Sequence, residues 1–132
     1  MGFIKKLFGG SEISEESKEV NTMPWLGLTS VEQLNKLKVA SETKPQLIFK
    51  HSTRCGVSRM VMRQFEESYG FSNEDFDVYY LDLLNYRDVS NVIASMFQVM
   101  HQSPQLLVIK NGVVVAHASH GAILDVDLKN FV

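Results

Sequence analysis

The fold of this chain is decided by the stretch Leu47-Ile48-Phe49-Lys50-His51-Ser52-Thr53-Arg54-Cys55-Gly56-Val57-Ser58-Arg59-Met60, which contains the only cysteine. The stretch begins with a short apolar run that is typical of a β-strand. After Cys55, the apolar residues Val57, Val61 and Phe65 recur every four positions, which is typical of one face of a helix. The pattern therefore predicts that Cys55 lies at the junction between a strand and a helix.

This position predicts a specific chemistry for Cys55. The free N–H groups and the positive dipole end at a helix N-terminus stabilise an anion, which here is a thiolate, the nucleophilic form of cysteine. Ser58 lies three residues later, where a Cys-x-x-Cys oxidoreductase has its second cysteine. A hydroxyl can donate a hydrogen bond to a thiolate but cannot form a disulfide, so a mixed disulfide on Cys55 needs an external thiol. We therefore predict a monothiol site.

A lone cysteine can also be a small buried side chain without reactivity. Here, however, Cys55 lies between Arg54 and Gly56, and Lys50 and Arg59 place two more positive charges nearby. Reactive cysteines occupy electropositive, partly exposed sites. We therefore favour a reactive thiol over a buried inert one.

The composition limits the class of protein. A chain of 132 residues, 21% charged and 45% hydrophobic, suits one globular domain. A net charge of -2 without a basic, aromatic-rich patch argues against nucleic acid as a partner. A single cysteine fits a reducing compartment, and we see neither a signal peptide nor a transmembrane segment, so we expect a cytoplasmic protein.

The chain divides into two parts by composition. Residues 1–22 include a run rich in Glu, Ser and Lys and predict a flexible N-terminal lead-in, whereas residues 23–132 predict the compact domain. In the domain we expect strands near 24–28, 46–51, 78–83, 106–110 and 113–117, and helices that begin after Ser30, Cys55, Asn85 and Gly121. Asn111-Gly112 is a strong hairpin signal. The order predicts an α/β fold with a central mixed β-sheet flanked by helices.

A second part of the site is expected at Ser103-Pro104, immediately before the fourth strand. Proline is sterically permitted at the first position of a strand, which is one interpretation. The functional interpretation is a cis peptide bond that leaves the backbone of Ser103 free to pair with an extended substrate. The four histidines share no metal-ligand spacing, so we predict no metal site.

Several separated motifs resemble the thioredoxin superfamily and, more narrowly, the monothiol bacilliredoxins of the YtxJ type. The matching segments are residues 50–58, Glu66, Ser103-Pro104-Gln105, Asn111-Gly112 and Ser119-His120-Gly121. The resemblance covers about residues 24–132. It implies a thioredoxin-like fold for the domain.

The resemblance also implies an activity. In that family, the cysteine removes bacillithiol, a small thiol that carries glucosamine and malate, from proteins that hold it as a mixed disulfide. Carried onto this chain, it implies that Cys55 is the nucleophile, that Ser58 replaces the resolving cysteine, and that Pro104 is the cis-proline. The co-substrate is then a small anionic thiol, the partners are S-thiolated proteins, and no cofactor is bound. The expected substrate-binding residues are Arg54, Gly56, Ser103, Lys50 and Arg59.

Two other functions stay open at this point. The order Cys-Gly-x-Ser at residues 55–58 is similar to the loop of monothiol glutaredoxins, some of which carry iron–sulfur clusters. With one cysteine per chain, a cluster would need a dimer and two small thiols, because four ligands are required. The chain could also be a redox-sensing adaptor, or an interaction module in which the cysteine is incidental.

Overall fold

A five-stranded sheet runs through residues 23–132, the part of the chain that this computed structural model describes. Residues 1–22, for which the sequence predicts a flexible lead-in, lie outside the described residues. The strands are β1 (Trp25–Gly27), β2 (Gln46–His51), β3 (Asp77–Asp82), β4 (Gln105–Lys110) and β5 (Val113–Ser119). The helices are α1 (Val31–Ala40), α2 (Gly56–Ser68) and α3 (Arg87–Phe97), followed by two 3-10 segments, His120–Asp125 and Leu128–Phe131.

The strand order is β1-β3-β2-β4-β5, and the sheet is mixed, as predicted. β1, β3 and β2 run parallel, whereas β4 pairs antiparallel with β2, and β5 pairs antiparallel with β4. The hairpin between β4 and β5 turns at Asn111 and Gly112, with φ angles of 54° and 78°. Asn-Gly is suited to this turn because both central residues need a positive φ.

Each face of the sheet is covered by its own hydrophobic cluster. Every residue of β2 is buried, so successive side chains of this central strand enter opposite clusters, Ile48 one and Phe49 the other. The cluster on the face covered by α1 and α3 contains Leu28, Leu34, Leu37, Ile48, Leu81, Val89, Ile93, Phe97, Val99, Leu107 and Ile109. The cluster on the face covered by α2 contains Leu47, Phe49, Val61, Phe65, Phe76, Val78, Leu106, Val108, Ile123 and Leu128.

The start of α1 confirms the predicted N-cap. The Gln33 N–H donates to Ser30 Oγ at 3.2 Å. The Gln33 side chain reaches back and accepts from the Thr29 N–H at 2.7 Å. The first bond satisfies a backbone donor that a helix leaves unpaired at its first turn, and the second ties the residue before the cap to the same turn.

Two predicted helix features are wrong. The closing segment is not one helix but two 3-10 segments, because Val126 is extended between them and the Asp127 side chain caps the second by accepting from the Lys129 N–H at 3.2 Å. α3 begins after Tyr86 rather than after Asn85. The Asn85 amide instead donates to Asp82 Oδ2 at 2.7 Å, so it is engaged at the end of β3 and does not cap the helix.

One edge of the sheet collects the segments that carry the expected site. β2 and β3 both end there, His51 paired with Asp82, and β4 begins there, Gln105 paired with Lys50. The loops after β2 and β3 and the Pro104 loop therefore meet at this edge. In residues 23–132, no helix is both long and apolar enough to cross a membrane.

Candidate active site

Cys55 lies at the junction between β2 and α2, as the sequence predicts. It is the residue immediately before α2, with extended backbone angles of φ -102° and ψ 121°. Its N–H donates to the Ser52 carbonyl at 3.2 Å, and its carbonyl accepts from the Arg59 N–H at 3.1 Å. The residue is a free cysteine of intermediate exposure, so it is not sealed in either core. A thiol in this position is accessible to solvent and lies at the N-terminal end of a helix.

Ser58 is fully buried one helical turn after Cys55. Its Oγ accepts from the Ser52 N–H at 3.1 Å and lies 2.7 Å from His51 Nδ1. Among the described residues, Ser58 makes no hydrogen bond with Cys55 Sγ. The predicted bond from the Ser58 hydroxyl to the sulfur is therefore absent. A hydroxyl has one proton and two lone pairs, and that of Ser58 is bonded to His51, the last residue of β2, and to Ser52, the residue after it.

His51 is a member of the site that the sequence interpretation missed. It is the last residue of β2 and only 5% exposed. Burial lowers the pKa of His51 below its usual 6.5; the nearby charge of Asp82 raises it, Arg59 lowers it, and Glu66 raises it. A sequence signal was available, since His51 continues the buried face of Leu47 and Phe49 with a polar residue just before the cysteine loop.

Asp82 is the strand neighbour of His51 across the β2–β3 pairing. Its Oδ2 accepts from Asn85, whereas its Oδ1 is buried and has no hydrogen-bond partner in the described part of the chain. A buried carboxylate oxygen without a donor favours positive charge nearby. Asp82 is therefore more than a strand-end carboxylate, since it contributes a negative field at His51.

The Pro104 loop lies at the same edge of the sheet as the cysteine loop. The Ser103–Pro104 peptide bond is cis, and the Pro104 carbonyl accepts from the His120 N–H at 3.0 Å. The pairing of β2 with β4 ends at Lys50 and Gln105, so Ser103 lies beyond that pairing. Its Oγ is buried without a partner among residues 23–132.

Lys50 does not take the role that the sequence suggested. Its side chain is 0% exposed, and its Nζ contacts the Ser90 carbonyl at 3.5 Å and His101 Nδ1 at 3.3 Å. Burial lowers the pKa of Lys50 from 10.5 to about 8. The expectation that Lys50 binds the substrate is wrong, because strand alternation directs its side chain into the face covered by α3, away from solvent.

The two arginines beside the cysteine are both exposed. Arg59 donates to the Thr53 carbonyl at 2.9 Å and so ties α2 to the cysteine loop. Arg54 lines a cleft of about 400 Å³ with Thr53, Leu84 and Asn85, between the loops that follow β2 and β3. Of the three cations near Cys55 in the sequence, Arg54 is thus the one that lines an open cleft between these loops.

Gly56, the first residue of α2, is exposed and has open space around it. A Cβ built there would meet only the Arg59 guanidinium, at 3.9 Å, so no close backbone approach requires a glycine. The part of the chain from 23 to 132 contains no group of three or more His, Cys, Asp or Glu side chains that could hold a metal ion.

Comparison with known proteins extends these observations. Residues 27–128 match the family model described as monothiol bacilliredoxin BrxC. A solved structure described as a candidate oxidoreductase with a thioredoxin fold is 34% identical, with a TM-score of 0.64, over 76% of this chain and 86% of that chain. The thioredoxin of Malassezia sympodialis is 16% identical, with a TM-score of 0.66, over 83% of this chain and 90% of its own. The thioredoxin of Fasciola hepatica is 18% identical, with a TM-score of 0.62, over 80% and 98%. These two thioredoxins show the shared fold alone.

Proposed function

The chain belongs to the monothiol bacilliredoxin family and is a thiol-disulfide oxidoreductase with a thioredoxin fold, and on this premise we propose that it removes bacillithiol from S-thiolated proteins. Cys55 is the nucleophile, and the small thiol is a co-substrate rather than a bound cofactor. The reaction takes place in the cytoplasm, where mixed disulfides are reduced by a thiol pool. The observation that carries this proposal is the partly exposed Cys55 at the start of α2, in a chain that has no second cysteine.

The exchange has two steps. The Cys55 thiolate attacks the bacillithiol sulfur of the mixed disulfide, a bond forms between the two sulfurs, and the electron pair of the broken bond leaves on the sulfur of the client protein. A second bacillithiol thiolate then attacks the bacillithiol sulfur held on Cys55. This step releases bacillithiol disulfide and restores the Cys55 thiolate. An outside thiol is needed because Ser58 cannot form a disulfide.

Arg54 is the best candidate for the malate end of the small thiol. Arg54 lines the cleft beside the cysteine loop, together with Leu84 and Asn85 from the loop after β3. Guanidinium groups bind carboxylates with two parallel hydrogen bonds, which suits a dicarboxylate such as malate. The backbone of Ser103, beyond the end of the β4 pairing, is available to pair with an extended client segment. Arg59 has a supporting role, since it already holds the Thr53 carbonyl.

The first test uses a purified client protein that carries bacillithiol. Wild-type protein should remove the modification, and Cys55→Ser should not, as followed by the intact mass of the client. A Cys55→Ser protein that works as fast as wild type would refute the proposed nucleophile. Parallel clients that carry glutathione or coenzyme A identify the thiol: a faster reaction with either one would contradict the bacillithiol assignment.

The second test concerns the cleft. Arg54→Ala should slow the reaction with bacillithiolated client by about tenfold, the effect of losing a charge-assisted hydrogen-bonded pair. Arg63→Ala, an equal loss of charge farther along α2, is the matched control. Equal losses in both variants would mean that net charge, rather than the Arg54 cleft, attracts the thiol. A stable brown dimer after anaerobic incubation with iron and sulfide would instead support the cluster-carrier alternative.

A further inference from the structure

We propose that His51 is a positioning residue for Cys55: its Nδ1 sets whether the Ser58 hydroxyl donates its proton to His51 or to the Cys55 sulfur. The inference concerns the same site and rests on the proposed role of Cys55 as the reacting thiol. It assigns a function to a buried histidine and to a buried serine that the exchange reaction does not otherwise use.

The argument begins with the hydrogen bonds of Ser58. A hydroxyl has one proton to donate and two lone pairs to accept with. One lone pair of Ser58 Oγ accepts from the Ser52 N–H at 3.1 Å. The proton needs an acceptor, because Ser58 is fully buried and no bulk water reaches it. Within the described residues, the acceptor within hydrogen-bonding distance is His51 Nδ1 at 2.7 Å. Neutral His51 therefore accepts at Nδ1 and carries its own proton on Nε2.

Protonation of His51 reverses this bond. Both ring nitrogens of an imidazolium are donors, so Nδ1 then donates to Ser58 Oγ. The hydroxyl now accepts two bonds, from His51 and from Ser52, and its own proton must find another acceptor. Cys55 is the residue before α2 and Ser58 is the third residue of the helix, so both lie on the same face of the first turn. In the proposed arrangement, the Cys55 thiolate is this acceptor.

The surroundings of His51 decide when the reversal happens. The groups that face it are Asp82 and Tyr80 from β3, and Arg59 and Glu66 from α2. Burial keeps His51 neutral at neutral pH, whereas the carboxylates of Asp82 and Glu66 favour its protonation. The centroid of the Tyr80 ring lies 5.7 Å from that of the imidazole. The hydroxyl is therefore held by His51 at neutral pH and is released toward the sulfur in acid.

The proposed role adds no chemical step to the exchange. The bond between the Cys55 sulfur and the small thiol forms, and the client sulfur leaves with the electron pair, as described above. His51 and Ser58 keep their protons throughout. In acid, Ser58 contributes a hydrogen bond to the Cys55 thiolate before attack and after release, and so maintains reactivity where thiolates otherwise become scarce.

The test compares iodoacetamide alkylation of Cys55 in wild-type and Ser58→Ala proteins across pH, a readout that needs no bacillithiol. The ratio of the two rates should be close to one at neutral pH. In acid, the wild-type rate should be about three times the Ser58→Ala rate. The hydrogen bond favours the thiolate form of Cys55 about tenfold, but it also lowers the nucleophilicity of the thiolate. The loss of nucleophilicity offsets about half of the gain on a logarithmic scale. In a His51→Asn background the ratio should not change with pH, because an amide placed at the Nδ1 position does not titrate. His117→Asn, at an exposed histidine of β5, should behave like wild type.

A ratio that does not depend on pH in the wild-type background, or one that still rises in His51→Asn, overturns the proposal. A measurement without mutation covers the case in which Ser58→Ala does not fold. Nitrogen NMR of His51 at neutral pH should show a bare Nδ1 and a protonated Nε2, and the opposite tautomer overturns the proposal. Failure to remove bacillithiol from a client, with the alkylation result as expected, would refute only the proposed substrate.

Discussion

Lys50 and His51 are consecutive residues of β2, and the comparison between them explains how this site is built. Both are buried polar residues at the end of the strand, and burial lowers the pKa of each. They point to opposite faces of the sheet, so His51 meets Ser58 on α2, whereas Lys50 meets Ser90 on α3 and His101 before the Pro104 loop. The end of β2 therefore contacts both parts of the candidate site, the first turn of α2 after the cysteine and the segment before the Pro104 loop.

The two residues differ in how their burial is compensated. His51 lies in the field of Asp82 and Glu66, which raises its pKa against the effect of burial. Lys50 forms no salt bridge among the residues that the structure describes, and desolvation is the cause of its lowered pKa. An uncompensated buried cation costs stability, whereas a small neutral imidazole with a close partner does not. We therefore expect substitutions on the two faces to behave differently.

The largest effect is expected at Lys50. Lys50→Met keeps the size of the side chain and removes the buried charge, so it should raise the free energy of unfolding at neutral pH by about 1–3 kcal/mol. The pKa of Lys50 is about 8 when folded and 10.5 when unfolded, so the folded state binds fewer protons between these values. Wild-type stability should thus rise with pH across this window, and that of Lys50→Met should not.

Urea unfolding at neutral and alkaline pH measures both parts of this prediction. Lys36→Met, at an exposed lysine of α1, is the control and should change stability little. A Lys50→Met protein that is less stable than wild type at neutral pH would show that the contacts with Ser90 and His101 outweigh desolvation.

The second effect compares two buried serines. Ser58→Ala should lower the free energy of unfolding by about 1–2 kcal/mol, because the Ser52 N–H and His51 Nδ1 both lose their partner. Ser90→Ala should cost less, since His101 Nδ1 keeps its contact with Lys50 Nζ at 3.3 Å. Chemical denaturation of the two variants at one pH decides the order, and equal losses would contradict it.

A smaller effect separates the two histidines in acid. The pKa values of His51 and His101 are both lowered, chiefly by burial, so the folded state binds fewer protons than the unfolded state just below pH 6.5. Stability should therefore fall as the pH falls through this range. His51→Asn should reduce the fall more than His101→Asn, because His51 is buried and His101 is largely exposed. If His101→Asn reduced the acid-induced loss of stability more than His51→Asn, the main acid-sensitive contact would lie on the face covered by α3.

The smallest effect tests the charges around His51. Asp82→Asn should lower the pKa of His51 further, and Arg59→Gln should raise it, because the first removes an attractive charge and the second a repulsive one. Proton NMR titration of the imidazole follows both shifts. Shifts in the same direction would show that these substitutions act through changed packing rather than through charge.

Much of the fold was predictable because the signals are local. The Ser30 cap, the Asn111-Gly112 hairpin and the cysteine between a strand and a helix each depend on residues within one turn, and the structure confirms all three. The single helix expected at the C-terminus was wrong, because Val126 is extended between two 3-10 segments and Asp127 caps the second.

The sequence by itself determined the mixed α/β sheet and the chemistry available: one thiol at the start of a helix, with a serine where a second thiol would be. Only the tertiary structure decided which neighbours reach that thiol. Lys50 and His51 are neighbours in the chain just before the cysteine loop, yet Lys50 is enclosed beneath α3 and His51 bonds the serine of α2. The physical reason is that strand alternation and the packing of helices on each face assign partners, and no local pattern reports which helix covers which face.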